Sequence, residues 1–248
     1  MCCFTRPVTN VRDTHIFARE GEGRAQFVVY EMRLAAKDDL AMVLPLPVDR
    51  SRGEQAVRFI NLEGYPEFFD DLGKGFPMPL PPSALSPRSE IASRALPVQQ
   101  VGSYEASFVP TMDDFERLDK RFRLPKQSWD ELPEYRRFGF AVFKLKPGNN
   151  KFHPMAFVFD RAERSRLFFP TIHIHDGEFH VLADFDHELY CQRSGQPLDV
   201  LEWEESRGHA RQFAKPEKSE GILEPDEHCY RRGMIGKLAN RDTYLARA

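Results

Sequence analysis

The sequence predicts an α+β fold dominated by antiparallel β-sheet, with the strands in two packed layers and two or three short helices between them. Short runs of alternating or β-branched residues, separated by turn residues, occur along much of the 248-residue chain. The chain also contains 21 Phe residues, an aromatic type that suits the faces of a sheet. Only residues 111–122 show a clear helical spacing of apolar side chains. Together these features favour strands over helices.

The first 48 residues have the pattern of a meander of strands. Gly21 and Gly23 supply a turn between the second and third of these strands. Pro45 and Pro47 lack amide donors, so the fourth strand is expected to run at a sheet edge or to end there. The predicted strands lie near residues 3–8, 15–19, 26–34 and 40–47.

The middle of the chain combines short elements with a proline-rich segment. Residues 76–97 contain six prolines, which excludes a helix or a central strand and predicts an extended loop. A loop of this length in a compact domain suggests a use such as partner binding. The other predicted elements are strands at 58–62, 98–109 and 138–145, helices at 65–72 and 111–122, and a helical stretch at 127–135.

The C-terminal part of the chain is predicted to become less ordered. Strands are expected at 154–159 and 167–175, and one last element at 198–203. From residue 204 polar residues dominate and glycines recur, which predicts a partly ordered polar tail at 204–248. The predicted organisation is therefore a single α+β domain at 1–203, with the proline-rich loop inside it, followed by this tail.

Composition narrows the range of partners and locations. The net charge is −3 and the Lys and Arg residues are scattered, so no basic surface is expected to neutralise nucleic-acid phosphates. No apolar run approaches the length of a membrane span, and no export signal is seen at the N-terminus. The four cysteines are too sparse for a disulfide scaffold and are expected to be reduced. We therefore expect a cytoplasmic protein that binds neither nucleic acid nor membrane.

Three short stretches carry a resemblance to a known family. They are CCF at residues 2–4, DLAMVLPLP at 39–47 and VGSYEA at 101–106. Together they resemble a bacterial family of unknown function, in which a cysteine-led strand meander ends in a Leu-Pro-x-Pro pattern. The resemblance implies that a glycine-tyrosine strand, a helix and a further strand follow the meander. It implies no activity, ligand or catalytic residue.

The richest group of titratable residues surrounds an Asp-Gly pair at 176–177, the strongest short-range hairpin signal. If these two residues form the turn, His175 faces Glu178 and His173 faces His180 across the hairpin. All four side chains then lie on one face, with opposed Cβ atoms about 4.5–5.5 Å apart. That separation allows imidazole nitrogens to converge on one ion.

These residues predict a metal site on the hairpin. Nitrogen and oxygen donors of this kind suit a divalent transition metal such as zinc or iron, with Asp184, Asp186 and His187 as additional or supporting groups. A solvated sheet face that is rich in histidine is the alternative interpretation. The candidate metal ligands are His173, His175, Glu178 and His180.

Three functional hypotheses follow from the sequence. The leading one is an uncharacterised cytoplasmic protein of bacterial type with a histidine-rich metal site. The second is a non-catalytic interaction or structural protein that contacts a protein partner through the 76–97 loop or the C-terminal tail. The third is a hydrolase that uses Cys2 as an N-terminal thiol nucleophile after removal of Met1.

Overall fold

The computed structural model describes residues 2–8, 10–77, 99–101, 104–123, 132–146, 148–193 and 198–247. One α-helix, α1, spans Phe68–Lys74, and the strands in chain order are β1 (Cys2–Phe4), β2 (Asn10–Glu20), β3 (Ala25–Ala36), β4 (Leu40–Leu46), β5 (Val57–Asn61), β6 (Gln99–Val101), β7 (Tyr104–Val109), β8 (Gly139–Leu145), β9 (Gly148–Lys151), β10 (Met155–Asp160), β11 (Arg166–Phe169), β12 (His173–Ile174), β13 (Leu182–Gln192), β14 (Glu204–His209), β15 (His228–Ala239) and β16 (Thr243–Ala246). The described chain is therefore mostly strand, with antiparallel pairing dominant.

Six strands form one sheet in the order β12-β1-β4-β8-β7-β6. In this sheet β4 lies between β1 and β8, so the expectation of an edge strand at 40–47 is wrong. Proline is tolerated at position 45 because β1 pairs only with the Met42 and Val43 part of β4. Pro45 lies opposite Phe140 of β8, but no described residue pairs with it on the β1 side of β4. No ladder hydrogen bond is therefore lost on that side.

The larger sheet has the order β14-β15-β13-β2-β3-β10-β5, and β9 pairs with the far end of β3. Strands β2 and β3 form a long antiparallel hairpin, and β13 pairs parallel to β2. The short strand β9 pairs antiparallel with β3, from Gly148 opposite Ala36 to Lys151 opposite Arg33. A separate two-stranded sheet joins β11 to β16.

The helix predicted at 111–122 is absent. Its residues form two 3-10 helices, Met112–Arg117 and Lys120–Phe122, separated by Leu118 in an extended conformation. The Thr111 hydroxyl donates to the Asp114 side chain at 2.7 Å, which is a local bond that favours a short turn. Phe115 and Phe122 are still buried, so the apolar spacing identified the core residues correctly. Further 3-10 helices span Arg50–Ala56, Pro133–Arg137, Ala210–Gln212 and Pro216–Lys218.

Residues 204–247 do not form the partly ordered tail that the sequence predicted. They contribute β14, β15 and β16, and β15 pairs along the whole length of β13. Much of β15 is exposed on both faces, with the exposed Gly233, Gly236 and Lys237 among its residues. A strand that is exposed to solvent on both faces shows no alternation of apolar and polar residues. This explains why the sequence of this region resembled that of a partly ordered tail.

Buried apolar side chains form two clusters. The larger includes Phe157 from one sheet and Phe143 from the other, and the half-buried Phe59 packs against it. The smaller lies on the other face of the eight-stranded sheet, beneath α1 and the segment at 210–223. Helix α1 forms here because Phe68, Phe69 and Leu72 share its buried side.

Two predicted features lie wholly or largely outside the described residues. Most of the proline-rich loop at 76–97 falls within residues 78–98, and most of the predicted helical stretch at 127–135 falls within residues 124–131. None of the helices in the described part of the chain has the length and apolar composition that a membrane span requires.

Candidate functional site

The hairpin predicted around the Asp-Gly pair does not form, although the turn itself does. Gly177 has a φ of +93°, and the Glu178 amide donates to the Asp176 side chain at 3.1 Å. The residues before the turn pair elsewhere, because β12 lies parallel to β1 with His173 opposite Cys2. The pairing expected between His173 and His180 is therefore wrong.

The structure brings His173 and His175 together and adds His187 from β13. The Nε2 atoms of His173 and His187 lie 2.8 Å apart, within one hydrogen bond. The rings of His173 and His175 stack with centroids 4.8 Å apart, and the Phe185 ring lies 4.4 Å from His173. We call His173, His175 and His187 the histidine cluster.

Two residues that follow β15 hold the segment that carries the cluster. The Asn240 side chain accepts from the His173 amide at 2.7 Å and donates to the His173 carbonyl at 2.8 Å. The buried Asp242 carboxylate accepts from the amides of Thr171 and Ile172 at 2.9 and 3.1 Å. The cluster is thus fixed by contacts from a part of the chain about 70 residues away.

Burial keeps these imidazoles neutral. It lowers the pKa of His173 to about 2 and the pKa of His175 to about 4, and the neighbouring imidazole adds to the effect at His173. Burial likewise lowers the pKa of His187 well below its usual value. The Nε2 atom of His175 and the Nδ1 atom of His187 are buried without a hydrogen-bond partner among the described residues. His173 and His187 are buried and His175 is half-buried, so the cluster is a packed group of neutral imidazoles at the border of the core.

The metal site predicted from the sequence is not supported. Glu178 and His180 are exposed, and His180 contacts Asp176 at 2.8 Å instead of joining the other imidazoles. In the described part of the chain, no group of three or more His, Cys, Asp or Glu side chains is arranged to hold a metal ion. The interpretation of this protein as a hairpin metalloprotein is therefore wrong.

The cysteines give no support to a thiol hydrolase. The side chain of Cys2 lies outside the described part of the structure, and Cys3 is fully buried in the larger core. Cys191 and Cys229 are also buried free thiols, and burial raises the pKa of Cys229 to about 12. A thiol held in its neutral form is a poor nucleophile.

A surface that the sequence did not reveal lies beside the turn at 198–203. A concave site of about 330 Å³ is lined by Trp203 and Tyr230, and Leu201 at its border is 93% exposed. The Trp203 ring packs on Phe169 with centroids 5.6 Å apart, and the Arg193 guanidinium lies 4.7 Å from the centre of the Tyr230 ring. We call this site the aromatic pocket; its other lining residues are Leu198, Asp199, Val200 and Glu205.

The turn that forms the aromatic pocket is fixed to the rest of the fold. The Asp199 amide donates to the Ala246 carbonyl at 3.0 Å, and Leu198 forms a β-bridge with Arg247. Tryptophan, tyrosine and arginine are the residue types that contribute most to protein interfaces. A fixed aromatic pocket with an exposed leucine at its border therefore has the chemistry of a protein-contact site.

The fold and this pocket define a β-rich protein with a candidate protein-contact surface. Its fold is similar to that of baculovirus P35: the P35 crystal structure matches with a TM-score of 0.52 and 11% identity, covering 96% of this chain and 97% of P35. The caspase-8/P35 complex matches at 12% identity with a TM-score of 0.49, covering 95% of this chain and 96% of that one. A mutated baculovirus P35 after caspase cleavage matches at 13% identity with a TM-score of 0.48, covering 94% and 99%.

At these identities the likeness concerns the fold alone, and only the first match carries weight. No protein-family model matches the chain, and no curated protein matches its sequence. None of these comparisons shows the bacterial origin expected from the sequence.

Proposed function

We propose that this chain is a non-catalytic protein-interaction protein and that its partner is a protease. The observation that carries the proposal is the likeness to baculovirus P35 over 96% of this chain. P35 forms a complex with caspase-8, and a mutated P35 has been studied after caspase cleavage. Since a fold alone does not determine function, the protease partner is proposed by analogy of fold, and a partner of the same class is the first to test.

The surface of the described residues is compatible with this role. The aromatic pocket offers a cavity of about 330 Å³ that a partner side chain can enter. Leu201, at 93% exposure, presents apolar area to solvent that a partner would bury. We infer that this pocket is part of the contact surface.

We also infer that the two larger sheets pack face to face as two layers that give this surface a rigid support. Phe143 of β8 lies with its ring centroid 5.5 Å from Phe59 of β5 and 6.1 Å from Phe157 of β10. These contacts join the six-stranded sheet to the eight-stranded sheet. Contact residues on rigid elements lose little conformational freedom on binding.

The proline-rich segment at 76–97 is a second proposed contact region, on the strength of its sequence alone. Its six prolines reduce the entropy that an extended segment loses when it binds. Residues 204–247 are folded and include β14, β15 and β16, so they contribute through folded surface, such as Tyr230 in the aromatic pocket. A cytoplasmic location, which the cysteine content suggested, stays a prediction.

Caspase-8 is expected to bind this protein. Replacing Leu201 by Asp is expected to lower the affinity for caspase-8 about tenfold or more, because a charge would replace an exposed apolar side chain at the contact. Biolayer interferometry with immobilised caspase-8 measures this. The matched control is Ile235→Asp, since Ile235 is also exposed, at 70%, but does not line the pocket. Absence of binding at tens of micromolar would reject caspase-8 as a partner, and equal losses in both variants would reject the pocket.

The proline-rich segment calls for a separate variant, in which residues 78–98 are replaced by a Gly-Ser linker of the same length. If the segment contacts the protease, this variant is expected to bind at least about tenfold more weakly while its thermal unfolding stays close to that of the natural chain. Unchanged affinity would leave the folded surface as the contact region.

A further inference from the structure

One face of the eight-stranded sheet is only partly covered. Helix α1 and the segment at 210–223 cover one part of this face, and the side chains buried between them form the smaller apolar cluster. The covered row of side chains runs across four neighbouring strands and consists of Phe17, Val29, Ala156 and Ile60. Successive side chains on one face are two residues apart, so the next row on this face can be identified from the register.

The next row forms the floor of a large open cavity. Phe27 and Val158 are paired across β3 and β10 and are only half-buried, unlike the row before them. Arg19 lies at one end of this row on β2, and Arg58 lies at the other end on β5. The cavity above has a volume of about 930 Å³, and we call it the sheet-face groove. Four strands about 4.8 Å apart give the groove a span of about 14 Å.

The two sides of the groove differ in charge. On the β5 side stand Arg52 and Arg58; Arg52 is held by Asp160 at 2.9 Å, whereas Arg58 is exposed and has no ion pair with any described residue. On the β2 side the lining residues are mainly acidic: Glu22, Glu224, Asp226 and Glu227. An occupant therefore meets a positive charge at one end and negative charge at the other.

The guanidinium of Arg19 is already hydrogen-bonded to groups within the fold. Its guanidinium donates to the Ile222 and Gly221 carbonyls at 2.6 Å each and to Glu224 at 2.7 Å. It also lies 4.8 Å from the centre of the Phe27 ring, so it fixes the wall and the floor together. Arg58 is thus the cation on the floor that remains available to an occupant.

We propose that the sheet-face groove binds an extended segment of a partner protein, four or five residues long, with opposite charges at its two ends. An acidic side chain lies at Arg58, an apolar side chain covers Phe27 and Val158, and a basic side chain lies near Glu22 and Glu227. At about 3.4 Å per residue, four residues span the 14 Å of the groove. This inference rests on the proposed function, because it names a recognition element of the protein partner.

The chemistry of the lining disfavours a small anion as the occupant. The groove presents six acidic residues against four arginines, and the centre of its floor, formed by Phe27 and Val158, is apolar. A phosphate would be repelled by most of the lining and would gain nothing from Phe27 and Val158. A peptide with an apolar centre and opposite end charges satisfies both features.

The probe is the peptide acetyl-Glu-Val-Phe-Val-Lys-amide, compared with the same peptide carrying Lys at both ends. Both are titrated into the full-length protein and followed by NMR signals of Phe27 and Val158. The natural protein is expected to favour the Glu-ended peptide about fivefold, and Arg58→Glu to reverse this preference. The charge-matched control is Arg164→Glu, since Arg164 is exposed and does not line the groove.

Several results would overturn the inference. They are the absence of shifts at Phe27 and Val158, equal binding of both peptides, and an equal effect of Arg164→Glu. Signals of the groove that change with protein concentration alone would show that a second copy of this chain occupies it, which also overturns the proposal. Peptide binding without caspase-8 binding would reject only the protease partner, and caspase-8 binding without peptide binding would reject only the groove.

Discussion

Replacing Arg161 by Met is expected to lower the free energy of unfolding by about 3 kcal/mol. The Arg161 guanidinium donates to the Glu20 carboxylate at 2.6 Å, and the two side chains are only 2% and 5% exposed. Replacement of the arginine leaves the Glu20 carboxylate buried beside an uncharged methionine side chain. Arg247 still reaches Glu20 at 3.3 Å, which keeps the loss at the lower end of the range for buried ion pairs. Urea denaturation followed by circular dichroism measures the change.

Two further variants test the cause of this loss. Arg33→Met removes an exposed ion pair, in which Arg33 contacts Asp13 at 2.9 Å, and should cost less than about 1 kcal/mol. The double variant Arg161→Met with Glu20→Met should be more stable than Arg161→Met alone, because it also removes the buried carboxylate that has lost its contact with Arg161. If the double variant is the less stable, the loss comes from packing and not from the buried charge.

Strands that bury most of their side chains could be predicted from the sequence, because they are short apolar runs bounded by turn residues. Most residues of β3, β8 and β10 are buried, and the predicted ranges 26–34, 138–145 and 154–159 overlap these strands closely. This reasoning fails at β15, which is long but exposed on both faces over much of its length. Its order comes from pairing with β13, a contact that is distant in sequence.

The histidine cluster shows which part of a site local sequence can specify. The Asp-Gly pair correctly predicted the turn at 176–177, but not the partners of the residues around it. The pairing of β12 with β1 joins residues about 170 positions apart, so the hairpin register could not reveal it. His187 was predicted as an additional or supporting group and not among the four main ligands, yet it makes the 2.8 Å contact with His173.

The aromatic pocket could not have been found by the same reasoning. Trp203 and Leu201 come from a turn that has no strand period, and Tyr230 comes from β15, almost 30 residues later. Each of these residues is unremarkable in its local sequence. They become a site only because β14 and β15 are adjacent in the sheet.

Acid is expected to destabilise this protein through the histidine cluster. In the unfolded chain the imidazoles take up protons near pH 6.5, whereas in the folded chain burial holds the pKa of His175 at about 4 and that of His173 at about 2. Between these values the unfolded state binds more protons than the folded state, so the free energy of unfolding falls as the pH falls. From pH 6.5 to 4.5 the loss is roughly 2 kcal/mol for each imidazole.

The variant His175→Phe isolates one of these contributions. A phenyl ring keeps the stacking on His173, where the ring centroids are 4.8 Å apart, and removes a buried nitrogen that has no hydrogen-bond partner. Its free energy of unfolding should match that of the natural protein to within about 1 kcal/mol at pH 7.5 and exceed it by roughly 2 kcal/mol at pH 4.5. His180→Gln, which removes an exposed imidazole that contacts Asp176 outside the cluster, should change the pH dependence far less than His175→Phe does. If both variants lose stability in parallel with the natural protein as the pH falls, the acid sensitivity arises from the carboxylates.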